Sequence, residues 1–165
     1  MNLGFFPVCK IDSELRIVKG PALRPEMRDR QGSIISQKVI QDAAHDFTAR
    51  LNATKGGSKP GFMHSDFSRK LEIVESYVTD HDLTYALNEQ LQKIHAAVPV
   101  EGLVKKSAAE DGEVEKVFAS IPAGSWILAF KVHDDEIWQG ILDGTFKGFS
   151  IGGRCTIKYE EEEAA

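Results

Sequence analysis

The sequence predicts a mixed α+β fold built on a mainly antiparallel sheet, curled into a distorted β-barrel flanked by helices. Three observations predict this class. Segments with strand periodicity alternate with segments of helical periodicity along the chain. No glycine-rich loop joins a strand to a helix in a dinucleotide-binding or P-loop pattern. The 165 residues, 42% of them hydrophobic, suit one domain with a real core.

Composition and charge exclude several classes of function. The net charge is −5, and Glu160–Glu163 supply four of those negative charges, so the body of the chain is nearly neutral. We therefore expect no nucleic-acid partner. No apolar run is long enough to span a bilayer, and the N-terminus lacks the pattern of a secretory signal, so we expect no membrane partner. Cys9 and Cys155 are expected to be reduced thiols in a cytosolic setting.

The first predicted elements are a strand and a helix. Residues 15–20 alternate apolar and polar side chains, and Gly20-Pro21 is expected to end that strand. A polar loop over 25–32 follows. Ser36 then caps a helix that ends near Asn52, because its hydroxyl can accept a bond from a free first-turn amide. Ile35 and Ile40 have the spacing of a hydrophobic staple at the start of this helix. The inward face of the helix is expected to carry Val39, Ile40, Ala43, Ala44, Phe47 and Leu51.

A flexible connection over 55–61 leads to a second strand, residues 71–78. Alternation places Glu75 on one face with Leu71, Ile73 and Tyr77. A carboxylate among large apolar groups lies near the edge of a sheet or is held by a partner.

Residues 79–122 show few clear patterns. Their clearest feature is an amphipathic helix over 83–94, with Leu83, Leu87, Leu91 and Ile94 on one stripe. Residues 105–115 are charged and small, without periodicity, and are predicted to form an exposed loop.

The last elements are two strands around a short helix. Residues 126–132 form a nearly continuous apolar run, which predicts a buried, central strand. Acids at 134–136 precede apolar residues with helical spacing, and Gly144 is expected to end that helix. A final strand covers 149–158. A single domain is thus expected over 1–158, followed by an acidic tail over 159–165.

Ser150 is the candidate nucleophile. It lies between apolar residues in a glycine-rich run, with Gly148 before it and Ile151, Gly152 and Gly153 after it. Glycines allow a substrate backbone to approach, and nearby amides can stabilise an oxyanion. The pattern alone also fits a plain strand ending in a bulge, and short runs of this kind recur by chance. No helix pattern follows the serine, so it is not an α/β-hydrolase elbow.

A serine needs a base to remove its proton, and His64 has the best local context among the five histidines. On pattern alone each histidine is more often a surface residue. A metal site is the other interpretation, with His64, Asp66, His81 and Asp82 as ligands, but no two have a spacing typical of zinc sites. We therefore expect no metal and no cofactor.

Several short segments resemble, in the same order, the XkdF-like phage prohead proteases. The first is the run G-x-x-L-x-P-x-x-x-D-x-Q-G from Gly20 to Gly32, followed by a helix with an Ala-Ala-x-x-Phe pattern. A histidine segment, a strand and a serine half follow at 61–64, 73–78, 124–132, 135–138 and 148–153. The match covers roughly 20–78 and 124–154, and the resemblance implies that residues 79–122 form a long insertion.

This resemblance implies a capsid-maturation serine protease, related in fold to the herpesvirus assemblins. It implies Ser150 as nucleophile and His64 as general base. It implies the phage major capsid protein and the scaffold as partners, self-cleavage, a possible homo-oligomer, and a location in the host cytoplasm, inside the procapsid. The third triad member has three explanations: a truncated or self-processed chain, Glu75, or a catalytic dyad. The segment that commonly follows the serine in such proteases is absent.

Three other functions remain open at the level of sequence. The chain could be a protease-fold phage assembly protein without activity, which the missing downstream segment favours. It could be a metal-dependent hydrolase. It could be a binding module whose acidic tail docks on a basic partner.

Overall fold

The computed structural model describes residues 2–28, 33–53, 61–62, 65–66 and 70–152. Within these residues the elements follow one another as β1 (Asn2–Pro7), β2 (Lys10–Asp12), β3 (Ile17–Leu23), α1 (Gln37–Ala53), β4 (Gly61–Phe62), β5 (Ser65–Asp66), β6 (Leu71–Val78), β7 (Leu83–Ala86), α2 (Glu89–Ala97), β8 (Val104–Lys106), β9 (Val117–Ile121), β10 (Trp126–Val132), α3 (Asp135–Leu142) and β11 (Gly148–Gly152).

The main sheet has four antiparallel strands in the order β2-β3-β10-β6. The apolar strand β10 pairs on both sides, and its Ile127 and Ala129 are 0% exposed. The predicted central position of this strand is confirmed. A continuous apolar run suits a strand that is covered on both faces.

The ribbon formed by β1 and β11 packs against the main sheet at β3. The Val8 amide donates to Lys147 O at 2.9 Å, and the Cys9 amide donates to Lys19 O at 2.8 Å. The chain therefore passes from pairing with the β11 side to pairing with β3 within two residues. Gly20 permits the close approach, because a Cβ there would lie 3.2 Å from the Phe149 ring and from Pro7 O.

Residues 79–122 contribute to the main hydrophobic core. They contain the three-stranded sheet β7-β9-β8 and helix α2. Leu91 and Ile121 belong to the same buried cluster as Ile127 and Trp138. Helix α1 covers a second cluster, in which Phe47 packs edge-on against Trp126 with ring centroids 5.1 Å apart.

The predicted sheet is confirmed as mainly antiparallel, but its curling into a barrel is not. The described strands fall into four separate sheets, and none of these closes on itself. Within the described residues, no helix has the length and apolar character needed to cross a membrane.

Two predicted boundaries are wrong. Strand β3 continues through Gly20-Pro21 to Leu23. Proline is tolerated there because β2 pairs only with residues 17–19, so Pro21 faces one strand neighbour among the described residues, β10. The helix expected over 83–94 is divided, because residues 83–86 form β7. Helix α2 begins at Glu89, after Asn88 caps it by accepting from the Leu91 amide at 2.9 Å.

The helices α1 and α3 agree with the sequence. The Val39 amide donates to Ser36 Oγ at 3.4 Å, and Ile40 is fully buried. The predicted inward face was too wide, however, because Val39 and Ala43 are exposed. Gly144 follows α3 with φ +82°, a conformation that suits a helix end.

The remaining predicted segments are reproduced in part. Residues 71–78 form β6 as predicted. Residues 105–115 are exposed apart from half-buried Ser107, and Lys105 and Lys106 belong to β8 and not to a loop. Strand β11 begins at Gly148, and the rest of the predicted final strand lies beyond the described residues, as do 29–32, 54–60 and the acidic tail.

Candidate functional site

Ser150 lies in the middle of β11, opposite Phe5 of β1. Gly148 is opposite Pro7, and Gly152 is opposite Asn2. The candidate nucleophile is therefore part of a paired strand and not of a loop. Ile151 and Gly152 continue the strand, and Gly153 lies outside the described residues.

Gly148 allows β1 and β11 to approach each other closely. A Cβ at this position would lie 2.1 Å from the Phe6 carbonyl oxygen and 3.0 Å from the Pro7 Cα. Backbone atoms cannot yield as a flexible side chain can, so any other residue at position 148 would force β1 and β11 apart. The structure thus gives Gly148 a packing role, in addition to the oxyanion role expected from sequence.

Phe149 anchors β11 directly before Ser150. Its ring lies 5.0 Å from the ring of Phe130 in β10, and it approaches Gly20 of β3. The strand that carries the candidate nucleophile is therefore held by β1 at its edge and by the main sheet through Phe149.

Glu75 lies in a row of side chains that crosses three strands. Lys19 of β3 and Glu75 of β6 are both opposite Ala129 of β10. The small alanine leaves room between them, and Lys19 Nζ reaches Glu75 Oε2 at 2.7 Å. Lys19 also lies over the Tyr77 ring, 5.1 Å from its centroid.

The environment of Lys19 stabilises its charged form. Burial lowers the pKa of Lys19, but hydrogen bonds and charge interactions with Glu75 and Tyr77 outweigh this, so the pKa is raised. The lysine side chain is 18% exposed and that of Glu75 is 46% exposed. Both explanations that the sequence offered for this carboxylate hold, because β6 is an edge strand of the four-stranded sheet and Lys19 is the partner of Glu75.

The predicted set of residues sharing a face with Glu75 is wrong at Ile73. Ala129 is opposite Glu75 and the next residue, Phe130, is opposite Ile73, so Val74 is an extra residue in β6. This bulge returns Ile73 to the cluster under α1. A strict period of two does not reveal a bulge.

Glu75 and Phe149 lie on opposite faces of the main sheet. Lys19 and Gly20 are consecutive residues of β3, and successive residues of a strand face opposite sides. Gly20 faces Phe149, whereas Lys19 faces Glu75.

His64, the candidate base, lies outside the described residues. Its neighbours in sequence form the short pair β4–β5, with Gly61 opposite Asp66 and Phe62 opposite Ser65. That His64 lies within hydrogen-bond distance of Ser150 therefore stays a prediction.

His95 is a histidine that the sequence interpretation did not single out. It is 4% exposed, and its Nε2–H donates to Val8 O at 3.0 Å, at the junction of β1 and β2. Burial lowers the pKa of His95, against a smaller opposite effect of the bond to Val8. The signal was its spacing of four residues from Leu91, which continues the buried stripe.

The residues considered for a metal site have other partners where they are described. His81 Nδ1 lies 2.6 Å from the Asp80 carboxylate, and Asp82 accepts from the Ala123 amide at 2.8 Å. Across the described ranges, no three His, Cys, Asp or Glu residues gather in a way that could hold a metal ion.

A cavity of about 940 Å³ lies at the beginning of β11. Its walls are the start of α2, the end of α3 at Leu142, and Asp143, Gly144 and Lys147 of the connection from α3 to β11. We call it the α2–β11 groove. It includes Lys93 and Lys147, the second of which directly precedes Gly148.

A family model described as "Putative phage serine protease XkdF" matches residues 6–159. The chain belongs to this XkdF family. The match includes His64, Glu75, the segment 79–122 and the whole of β11. The expected relation in fold to herpesvirus assemblins stays a prediction, and no solved structure matches the chain.

Two curated relatives, both from Bacillus subtilis (strain 168), are similar over most of this chain. The phage-like element PBSX protein XkdF is 25% identical over 149 residues, which are 90% of this chain and 40% of the relative. The uncharacterized protein YqbD is 26% identical over 156 residues, which are 94% of this chain and 37% of the relative. The chain thus spans about two-fifths of the length of these relatives.

Proposed function

We propose that this phage protein is a serine endopeptidase of procapsid maturation that cleaves extensions of scaffold and capsid proteins, and itself. The observation that carries the proposal is the XkdF family match over residues 6–159, a range that includes both His64 and Ser150. The glycine-rich strand around Ser150, fixed by Phe149 and by pairing with β1, suits a nucleophile that must be held in place.

Ser150 attacks the scissile carbonyl while His64 takes the hydroxyl proton. The acyl-enzyme forms as the leaving amine receives that proton from His64. Water then attacks the acyl-enzyme, again with His64 as base, and Ser150 regains its proton. The pair needs no cofactor for these steps.

The free edge of β11 supplies candidate donors for the oxyanion. Among the described strands, β11 pairs only with β1, so amides that face away from β1 have no strand partner. Amides alternate between the two edges of a strand, and the Lys147 carbonyl accepts from Val8, so the amides of Gly148 and Gly152 face away from β1 and that of Ile151 faces β1. The amides of Gly148 and Gly152 can therefore bind a developing oxyanion or the backbone of an extended substrate, and a role of Ile151 or Gly153 stays a prediction.

In a triad, a third residue would orient His64. Glu75 is the acid that the sequence offers as third member, and its carboxylate is bound to Lys19. A dyad of Ser150 and His64 fits this geometry better than a triad with Glu75, because the latter requires the carboxylate to exchange Lys19 for the imidazole.

The proposed setting is the interior of the procapsid, in the host cytoplasm. The proposed partners are the phage major capsid protein and the scaffold, with self-association as a further possibility. A second candidate function is that of an inactive assembly protein with a protease fold. The engagement of Glu75 by Lys19 favours it, since that contact removes the acid that the sequence offers for a triad.

The test is intact-mass analysis after co-expression with the capsid and scaffold proteins of the same genome. We expect defined fragments with the wild type and none with Ser150→Ala or His64→Ala. Ser13→Ala, at an exposed turn, is the matched control and should cleave like the wild type. Identical masses in all samples would favour the inactive assembly protein.

A further inference from the structure

The α2–β11 groove lies within reach of a peptide that is bound at Ser150. Lys147, in its wall, precedes Ser150 by three residues of a nearly continuous strand. At about 3.3 Å per residue, the two Cα atoms are about 10 Å apart. An extended substrate that runs along β11 would cover that distance with three residues.

The walls of the groove are tied together before any substrate binds. The Gln90 side-chain amide of α2 donates to Leu142 O at the end of α3. Lys147 O accepts from the Val8 amide at 2.9 Å, which fixes the backbone of Lys147 and leaves its ammonium group available. A fixed wall lowers the entropic cost of binding.

Two acids and two lysines line the groove, so its formal charge is zero, but the lysines form no ion pair with these acids. The Asp143 carboxylate accepts from the Thr145 amide at 2.8 Å and from its hydroxyl at 2.6 Å, and these bonds lower the pKa of Asp143. Glu89, the other acid of the wall, lies in the first turn of α2, where the helix dipole stabilises it. Lys93 and half-buried Lys147 form no salt bridge within the described part of the chain.

We propose that this groove binds an acidic side chain of the peptide substrate, about three residues from the scissile bond, through Lys147 and Lys93. The proposal rests on the proposed function of Ser150. It gives the segment 79–122 a part in substrate selection, because α2 forms one wall of the groove. The substrate class is an extended peptide with Asp or Glu at that position.

The test is cleavage of a proteome-derived peptide library, read by mass spectrometry. We expect the wild type to select peptides with Asp or Glu about three residues from the cut. The variant Lys147→Glu should reduce that selection about fivefold, as expected for the loss of one partly exposed ion pair, and Lys93→Glu should reduce it less. Lys105→Glu, the same charge change on β8 outside the groove, should leave the profile unchanged.

Labelling with a fluorophosphonate separates the two proposals, because this reagent reports the reactivity of Ser150 without a peptide. An adduct on Ser150 without acidic selection, or with the same selection in Lys147→Glu, would overturn the groove proposal alone. No adduct and no cleavage with the wild type would overturn the proposed function, and the role of the groove with it. Equal thermal midpoints of all variants would exclude unfolding as the cause.

Discussion

At the scale of the residue, the burial of His95 should make the stability of the fold depend on pH. The folded state keeps the imidazole neutral, with Nε2–H on Val8 O and the pKa lowered from its ordinary value of 6.5. Below that pH the unfolded chain takes up a proton that the folded chain resists. The free energy of unfolding should therefore fall as the pH drops from 7 to 5, by at most about 1.4 kcal/mol per pH unit for this group.

Chemical denaturation at several pH values measures this effect. His95→Gln has no titrating group at this position, so its stability should be lower at pH 7 but depend less on pH between 7 and 5. His133→Gln is the control, because exposed His133 pairs with Glu72 at the surface. An unchanged pH slope in His95→Gln would show that another group causes the loss.

Gly148 has a second residue-scale consequence. In Gly148→Ala the new Cβ would meet the Phe6 carbonyl oxygen, so β1 and β11 must separate. We expect a destabilisation of about 2–3 kcal/mol in thermal or urea unfolding. Gly112→Ala is the matched control, since no atom lies near its Cβ position and only its φ of +90° opposes alanine; we expect a loss of about 1 kcal/mol there. Equal losses would contradict the close contact.

At the scale of the elements, the row Lys19–Ala129–Glu75 joins three strands of the main sheet. Glu75→Gln should cost at most about 1 kcal/mol of stability, because the carboxylate is nearly half exposed to solvent. We expect kcat/KM to change by less than about threefold, as for a residue outside the catalytic pair. A fall of about 10⁴-fold would instead identify Glu75 as the acid that orients His64.

The control for this prediction is the double variant Lys19→Gln/Glu75→Gln. If the main role of Glu75 is its ion pair with Lys19, the double variant should lose less stability than the two single variants lose in sum. Strict additivity would contradict the coupling.

Elements with one dominant pattern could be predicted from sequence. The apolar run of β10, the alternation of β6 and the acidic start of α3 each predict one structure, and each is present. Leu83-Thr-Tyr-Ala86 fits a strand and a helical stripe equally, and pairing with β9 decides for the strand. The continuation of β3 through Pro21 depends on where β2 ends, which is not a local property.

At the scale of the whole molecule, the sequence indicated the serine strand but not its surroundings. The glycine-rich run around Ser150 predicted a strand, and β11 covers Gly148–Gly152. Three features depend on contacts between residues far apart in sequence: the close approach of β1 to Gly148, the hydrogen bond from His95 to Val8, and the α2–β11 groove. Such contacts become visible only when the chain is folded.

The central claim is that Ser150 is an activated nucleophile, and covalent labelling tests it most directly. The protein is treated with a fluorophosphonate, and the modified peptide is located by mass spectrometry in the wild type and in His64→Ala. We expect one adduct, on Ser150, that forms with the wild type and is lost or strongly slowed in His64→Ala. An unmodified Ser150 in the folded wild type would show that this serine is not an activated nucleophile.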